Sequence, residues 1–117
     1  ITFLITQLFF EAELYAAYVA RLARHGVTIP SIPGILPITN YQNLLNFTAG
    51  CKASVPDAVH AIFKPLVDDD AATRAAGIDW AVAQSRDLIA AGAPGLHYYT
   101  LNRVEPVLSI VRKLGLR

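Results

Sequence analysis

The chain has 117 residues, of which 54% are hydrophobic and 16% charged, and its formal net charge is +1. This length suits one domain of modest size, and the near-neutral charge gives no electrostatic case for binding nucleic acid or an anionic membrane surface. No apolar run approaches the roughly 20 residues of a membrane helix. The single cysteine, Cys51, excludes an internal disulfide and suits a reducing compartment, so we expect a cytoplasmic protein.

The start of the chain suggests an incomplete protein. The sequence contains no methionine, and it opens within an apolar, strand-like run over residues 1–10. A natural terminus is usually polar and frayed. We therefore expect the chain to be a piece of a longer protein.

The predicted elements alternate between strands and helices. Residues 3–10 are almost continuously apolar and β-prone, which is typical of a parallel strand covered on both faces. A helix is predicted over 11–25, with Gly26 as its stop, and a short, proline-interrupted strand over 27–35. The remaining elements are predicted as helices over 40–49, 55–66 and 71–91, a strand over 96–101 and a helix over 104–114.

Helical spacing also predicts which side chains are buried. The apolar face of each long helix is expected to comprise Tyr15, Tyr18, Val19 and Leu22 in the first; Ile78, Ala81, Val82, Ser85 and Ile89 in the fourth; and Val104, Val107, Leu108 and Val111 in the last.

The element order β-α-β-α-α-α-β-α predicts parallel strands joined by right-handed crossovers. Three parallel strands are too few for a sheet that is covered on both faces. The residues alone leave two architectures open, namely the last three units of a (β/α)₈ barrel or a small open α/β sheet.

The stretch 97–103 is predicted to form one wall of a binding site. It begins as an aromatic strand and ends in Thr, Asn and Arg, where a buried strand would favour Val or Ile. Ligands bind at the carboxyl ends of parallel strands. Tyr98 and Tyr99 alternate in direction, so one is expected to enter the site while the other packs under a helix.

Three other features have competing interpretations. Gln7 lies within an apolar strand and is either a satisfied polar residue of a sheet layer or a ligand contact. Arg103 can bind a carboxylate or phosphate through two hydrogen bonds, or it can pair in solvent with Glu105. The three aspartates at 68–70 are better explained by a helix N-terminus than by a metal site, and no metal is predicted.

Three motifs together resemble a known family. They are Ile-Thr-Gln-Leu-Phe-Phe at 5–10, Ile-Pro-Gly-Ile-Leu-Pro-Ile-Thr-Asn at 32–40 and Gly-Leu-His-Tyr-Tyr-Thr-Leu-Asn-Arg at 95–103. In these motifs, their order and their separation, the chain resembles the C-terminal part of methylenetetrahydrofolate reductases. The resemblance implies that residues 1–117 are the C-terminal portion of a single parallel (β/α)₈ TIM-barrel domain and form its last three βα units.

The resemblance also implies an activity. The family passes a hydride from NADH or NADPH to FAD, and then to 5,10-methylenetetrahydrofolate, which gives 5-methyltetrahydrofolate. This would make the full-length protein a cytoplasmic flavoprotein oxidoreductase of one-carbon metabolism and methionine biosynthesis. It would act on a small-molecule folate, bind neither nucleic acid nor membrane, and form a homo-oligomer.

Five positions match the family's substrate-binding residues. Gln7 matches a strand glutamine that hydrogen-bonds the pterin and the nicotinamide, and Phe47 an aromatic residue that stacks on either substrate. Asn43 stands where the family has a glutamine, so a shorter amide occupies this position. Tyr99 and Arg103 match positions near the folate, where Arg103 would suit the carboxylates of the glutamate tail.

No catalytic residue of the family falls within this segment. The general-acid glutamate, the aspartate beside the flavin and most FAD ligands would lie upstream, so we expect the segment alone to bind FAD poorly and to be inactive. The alternative is a non-catalytic half-barrel, an interaction or scaffold module that lacks the flavin half.

Overall fold

The computed structural model of the protein describes residues 3–100 and 104–115. The elements within these ranges are β1 (Leu4–Leu8), α1 (Ala12–Arg24), β2 (Ser31–Ile35), α2 (Tyr41–Cys51), α3 (Asp57–Phe63), a 3₁₀ turn (Lys64–Leu66), α4 (Asp70–Ala90), β3 (His97–Tyr98) and α5 (Glu105–Leu114). This order confirms the predicted succession of strands and helices.

The three strands form one parallel sheet in the order β1-β2-β3. Each strand therefore lies beside its neighbour in the sequence, and helices make both crossovers. The predicted parallel pairing is confirmed, and the carboxyl ends of all three strands lie at the same edge of the sheet.

Two strands are shorter than predicted. β2 begins at Ser31 rather than at residue 27, because Pro30 has no N–H to donate and the ladder starts where the Pro30 carbonyl accepts from Leu4 N at 2.8 Å. β3 is only His97–Tyr98, extended by one bond from Tyr99 N to Ile35 O at 2.9 Å. The rest of the predicted third strand includes Leu101, which lies outside the described residues.

Apolar side chains form two clusters on opposite sides of the sheet. The α2 cluster contains Leu8, Phe10, Leu36, Ile38, Leu44, Val59 and Phe63. The α5 cluster contains Phe9, Tyr15, Ile35, Ala81, Val82, Leu88 and Ile110. Consecutive residues such as Ile35 and Leu36 belong to different clusters, as the alternation of side chains along a strand requires.

The predicted apolar faces of α4 and α5 are only partly confirmed. In α4, Ala81, Val82 and Ser85 are buried as predicted, but Ile89 is 47% exposed and Leu88 is buried instead. In α5, Ile110 is buried and Leu108 is 44% exposed, and Val104, directly before the helix, is 60% exposed. Apolar residues occur on more than one side of these helices, so spacing alone did not determine which side meets the sheet.

The outer faces of β1 and α1 are also more open than predicted. Phe3 and Ile5 are 49% and 46% exposed, which corrects the expectation that the first strand is covered on both faces. On α1, Tyr15 is buried, but Tyr18 and Val19 are 38% and 37% exposed. β1 is an edge strand of this sheet, so its outer side has no neighbour among the described elements.

Helix ends largely follow their predicted signals. The Asn40 side chain caps α2 by accepting from Asn43 N at 2.9 Å, and Asp69 caps α4 by accepting from Ala72 N at 3.0 Å. The aspartate run therefore starts a helix, as predicted. α2 continues to Cys51, two residues beyond its predicted end, and stops at Lys52, whose φ of 56° is left-handed.

Candidate functional site

Two adjoining cavities lie where β2 leads into α2. One, of about 110 Å³, is lined by Leu36, Pro37, Thr39, Asn43, Tyr99, Thr100 and Pro106. The other, of about 190 Å³, shares Leu36, Pro37, Thr39 and Asn43 with the first and is also lined by Phe47. The structure thus brings three of the predicted site residues, Asn43, Phe47 and Tyr99, to the carboxyl edge of the sheet.

Helix α2 presents two of these residues on one stripe. Asn43, Phe47 and Cys51 are spaced by four residues, so they lie above one another along the helix, about 12 Å from first to last. At the far end of the stripe, Gln7 Nε2 donates to the Cys51 carbonyl at 2.7 Å. Gln7 is therefore tied to the helix that carries Asn43 and Phe47, although it also lines a separate groove along the outer edge of β1.

Gln7 is exposed in this structure, which corrects the expectation of a buried amide. A primary amide has two donor hydrogens and an acceptor oxygen. The single bond to Cys51 leaves donor and acceptor capacity on Gln7 for a bound molecule.

Beside Gln7 the ladder between β1 and β2 is irregular. Ile5 pairs with Ile32 and Leu8 pairs with Gly34, so β1 has one extra residue between these pairs, at Thr6–Gln7. Such a bulge changes the direction in which a strand residue points. Thr6 Oγ1 accepts from Gly34 N at 2.9 Å and donates to the Gln7 carbonyl at 2.9 Å.

Tyr99 reaches this bulge from β3 by crossing over β2. Its hydroxyl donates to the Thr6 carbonyl at 2.8 Å. A Cβ on Gly34 would lie 2.7 Å from Tyr99 Cε2 and 2.8 Å from Thr6 O, so the crossing needs glycine at this position.

Tyr98 points to the other side of the sheet. Its hydroxyl lies 2.8 Å from Ser85 Oγ on α4, so the predicted division between the two tyrosines is confirmed. Burial raises the pKa of the Tyr98 phenol, and the Ser85 hydrogen bond partly opposes the rise. Burial also raises the pKa of Tyr99, and the neighbouring Cys51 side chain raises it further.

The histidines do not form a cluster. His97 packs edge-on against the Tyr99 ring, with centroids 4.8 Å apart, and His60 Nδ1 lies 2.6 Å from the Tyr41 hydroxyl. Within residues 3–100 and 104–115, no group of three or more His, Cys, Asp or Glu could hold a metal ion. In the same part of the chain, no helix is both long and apolar enough to cross a membrane.

One predicted site residue, Arg103, lies outside the described residues. Sequence reasoning missed two participants that the structure supplies, the Thr6 side chain and the Cys51 carbonyl. A backbone carbonyl has no sequence signature. Thr6 lacks a distinguishing pattern, although its position beside Gln7 could have suggested it.

The fold and this edge define an α/β protein with parallel strands, in which polar side chains gather where the strands end. A sequence model of the family described as methylenetetrahydrofolate reductase matches residues 2–115. The chain therefore belongs to the methylenetetrahydrofolate reductase family, and the predicted resemblance is confirmed.

Curated relatives from distant organisms agree. The chain is 36% identical over 113 residues to a probable methylenetetrahydrofolate reductase (NADH) of Oryza sativa, covering 97% of this chain and 19% of the relative. It is 36% identical over 115 residues to a probable NADPH form from Caenorhabditis elegans, covering 97% and 17%. It is also 36% identical over 114 residues to 5,10-methylenetetrahydrofolate reductase of Escherichia coli, covering 97% and 38%. The chain spans well under half of each relative.

Proposed function

We propose that the full-length protein reduces 5,10-methylenetetrahydrofolate to 5-methyltetrahydrofolate with NADH or NADPH, and that this segment supplies the wall that contacts folate and nicotinamide. Membership of the family carries the activity. The gathering of Asn43, Phe47 and Tyr99 around two adjoining cavities supports the role of the segment. The proposed partners are a small-molecule folate and further copies of the same protein in a cytoplasmic homo-oligomer.

The segment is proposed to be the last three βα units of a (β/α)₈ barrel. Parallel strands that neighbour each other in chain order are what consecutive barrel units produce. Apolar side chains are also exposed at both outer sides of the described chain, Phe3, Ile5 and Leu14 on one and Val104 and Leu108 on the other. Further βα units on these sides would cover them.

Each site residue has a proposed task. The Gln7 amide hydrogen-bonds the pterin or the nicotinamide amide, since it keeps unused donor and acceptor capacity. The half-buried Phe47 ring offers a flat apolar surface for stacking. Asn43 and Tyr99 border the same cavity, and Arg103 is assigned the tail carboxylates because a guanidinium binds them with two parallel hydrogen bonds.

FAD is the proposed cofactor, and most of its ligands are assigned to the rest of the protein. The cavities of about 110 and 190 Å³ are smaller than the roughly 300–1,000 Å³ of complete ligand sites, which fits one wall of a larger pocket. When bound, the flavin would accept a hydride from the nicotinamide and deliver it to the folate. The residues of this segment would orient the two substrates.

The test separates the two half-reactions in the full-length protein. Gln7→Ala should slow folate reduction more than flavin reduction by NADH or NADPH, by about tenfold if one hydrogen bond to the reacting substrate is lost. Gln42→Ala, at an exposed position of α2, is the matched control and should change neither rate. Equal loss in both half-reactions would mean that Gln7 serves the nicotinamide as much as the pterin, and would contradict its larger role in folate reduction.

The scaffold alternative makes a different prediction. A half-barrel without its flavin partner would leave the full-length protein colourless and unable to oxidise NADH or NADPH. For the isolated segment, a flavin absorbance titration should show weak binding. Tight stoichiometric binding there would contradict the assignment of the FAD ligands to the rest of the protein.

A further inference from the structure

Tyr99, which directly follows β3, lines a cavity and also hydrogen-bonds to the backbone of β1. Tyr99 spans the sheet from β3 to β1, and its hydroxyl donates a hydrogen bond to the Thr6 carbonyl at 2.8 Å. That carbonyl belongs to the bulge that sets the direction of Gln7. The Tyr99 hydroxyl therefore contacts the backbone that positions Gln7, a proposed binding residue.

The bulge depends on side chains for its hydrogen bonds. An inserted strand residue is left out of the regular ladder. Here the Thr6 hydroxyl accepts from Gly34 N and donates to the Gln7 carbonyl, at 2.9 Å each. The Tyr99 hydroxyl donates to the Thr6 carbonyl. Removing either hydroxyl leaves a polar backbone group of the bulge without its partner.

Close packing holds the Tyr99 ring in place where it crosses β2. Gly34 allows the Tyr99 ring to lie directly on β2, since a Cβ would lie 2.7 Å from the ring atom Cε2 and 3.0 Å from the hydroxyl oxygen. His97 packs edge-on against the same ring at a centroid distance of 4.8 Å. The ring is held between these contacts, so its hydroxyl has little freedom to turn toward a ligand.

The geometry points to Tyr99 as a positioning residue that acts through Gln7: by holding the Thr6–Gln7 bulge, its hydroxyl sets where the Gln7 amide meets the substrate. This inference rests on the proposed role of Gln7 in folate reduction. It adds that Tyr99 contributes to that step without a hydrogen bond of its own to the folate.

A double-mutant cycle in the full-length protein tests the inference. Tyr99→Phe should slow folate reduction by about tenfold, as expected for loss of one ordering hydrogen bond. If Tyr99 acts through Gln7, the variant carrying both Tyr99→Phe and Gln7→Ala should be no slower than Gln7→Ala alone. Multiplied losses in the double variant would overturn the inference, because they would mean that Tyr99 contacts the substrate independently.

Tyr98→Phe is the matched control, since it removes the neighbouring hydroxyl, whose hydrogen bond lies on the opposite side of the sheet. It should lower thermal stability to a similar extent but leave the ratio of the two half-reaction rates unchanged. If it changes that ratio as much as Tyr99→Phe does, the effect is one of general stability and the inference fails.

The Thr6 hydroxyl gives a second route if Tyr99→Phe does not fold. Thr6→Val keeps the side-chain shape and should also show a loss that disappears in the Gln7→Ala background, while Thr6→Ser should restore the rate. Failure of serine to rescue would overturn the inference. No effect of Gln7→Ala itself would overturn the proposed role of Gln7 and this inference with it, whereas independent losses would overturn this inference alone.

Discussion

Gly77 of α4 lies directly against the carbonyl of Ile38, so closely that a Cβ built on the glycine would lie 1.7 Å from that oxygen. The contact is between two backbones, so neither side can move by rotating a side chain. It sets the distance between α4 and the connection that leads from β2 to the cap of α2.

Gly77→Ala should therefore destabilise the full-length protein by about 2–3 kcal/mol, because α4 must move away from the Ile38 backbone. Thermal or urea unfolding measures the loss. Gly50→Ala is the matched control, since Gly50 also lies within a helix but has nothing within 4 Å of its added Cβ. That change should stabilise by about 0.5–1 kcal/mol through helix propensity, and equal effects of the two substitutions would contradict the packing argument.

Gln84 supports the end of β1 from α4. Its Nε2 donates to the Phe9 carbonyl at 2.7 Å, and its side chain is only 4% exposed. Gln84→Leu should cost about 2–3 kcal/mol of unfolding free energy, because it leaves the Phe9 carbonyl buried and unpaired. Gln42→Leu, at an exposed position of α2, should cost less than about 0.5 kcal/mol. A small effect at Gln84 would show that water replaces the lost donor.

Stability should decline in alkaline solution. Burial raises the folded-state pKa of Tyr15, Tyr98 and Tyr99 above the ordinary value of 10.0. The unfolded chain therefore loses these protons first, so the stabilisation is complete below about pH 10 and is lost as pH rises through the folded-state values. Urea unfolding at a series of pH values should show the fall, and Tyr98→Phe should make it shallower. Parallel curves for the two proteins would contradict this assignment.

Lengthening the Asn43 side chain tests its proposed contact with the substrate. The resemblance implies a glutamine at this position in the family, and glutamine is longer than asparagine by one methylene. Under the proposed role, Asn43→Gln should therefore extend the amide toward the substrate from the same cavity wall. One regained hydrogen bond would lower the folate KM by about two- to tenfold. Asn46→Gln, nearly one turn further along α2 and exposed, is the control and should leave the KM unchanged. A KM that rises in Asn43→Gln would mean that the cavity accommodates only the shorter side chain.

Local signals predicted much of the fold. The alternation of strand and helix patterns gave the element order, and the aspartate run at 68–70 and Gly26 marked helix ends that the structure confirms. These features depend on hydrogen bonds or dihedral angles within a few residues, which a sequence displays directly.

Features that depend on distant neighbours were harder to predict. Leu108 and Ile110 are equally apolar, and only the position of α4 decides that Ile110 is the buried one. No glycine or proline within β1 indicates the bulge at Thr6. Asn43, Phe47 and Tyr99 were predicted as one site by resemblance to the family, and the structure shows that they line two adjoining cavities, while their roles and that of Arg103 remain predictions.

The opposed directions of Tyr98 and Tyr99 limit how this part of the chain can vary in length. One hydroxyl bonds to Ser85 and the next to Thr6, on opposite sides of the sheet. Inserting or deleting a single residue at this pair would exchange the two sides and break both bonds at once. Length differences among homologues should therefore collect in the turn at 91–96, where Gly92 has a left-handed φ of 91° and no strand pairing constrains the register.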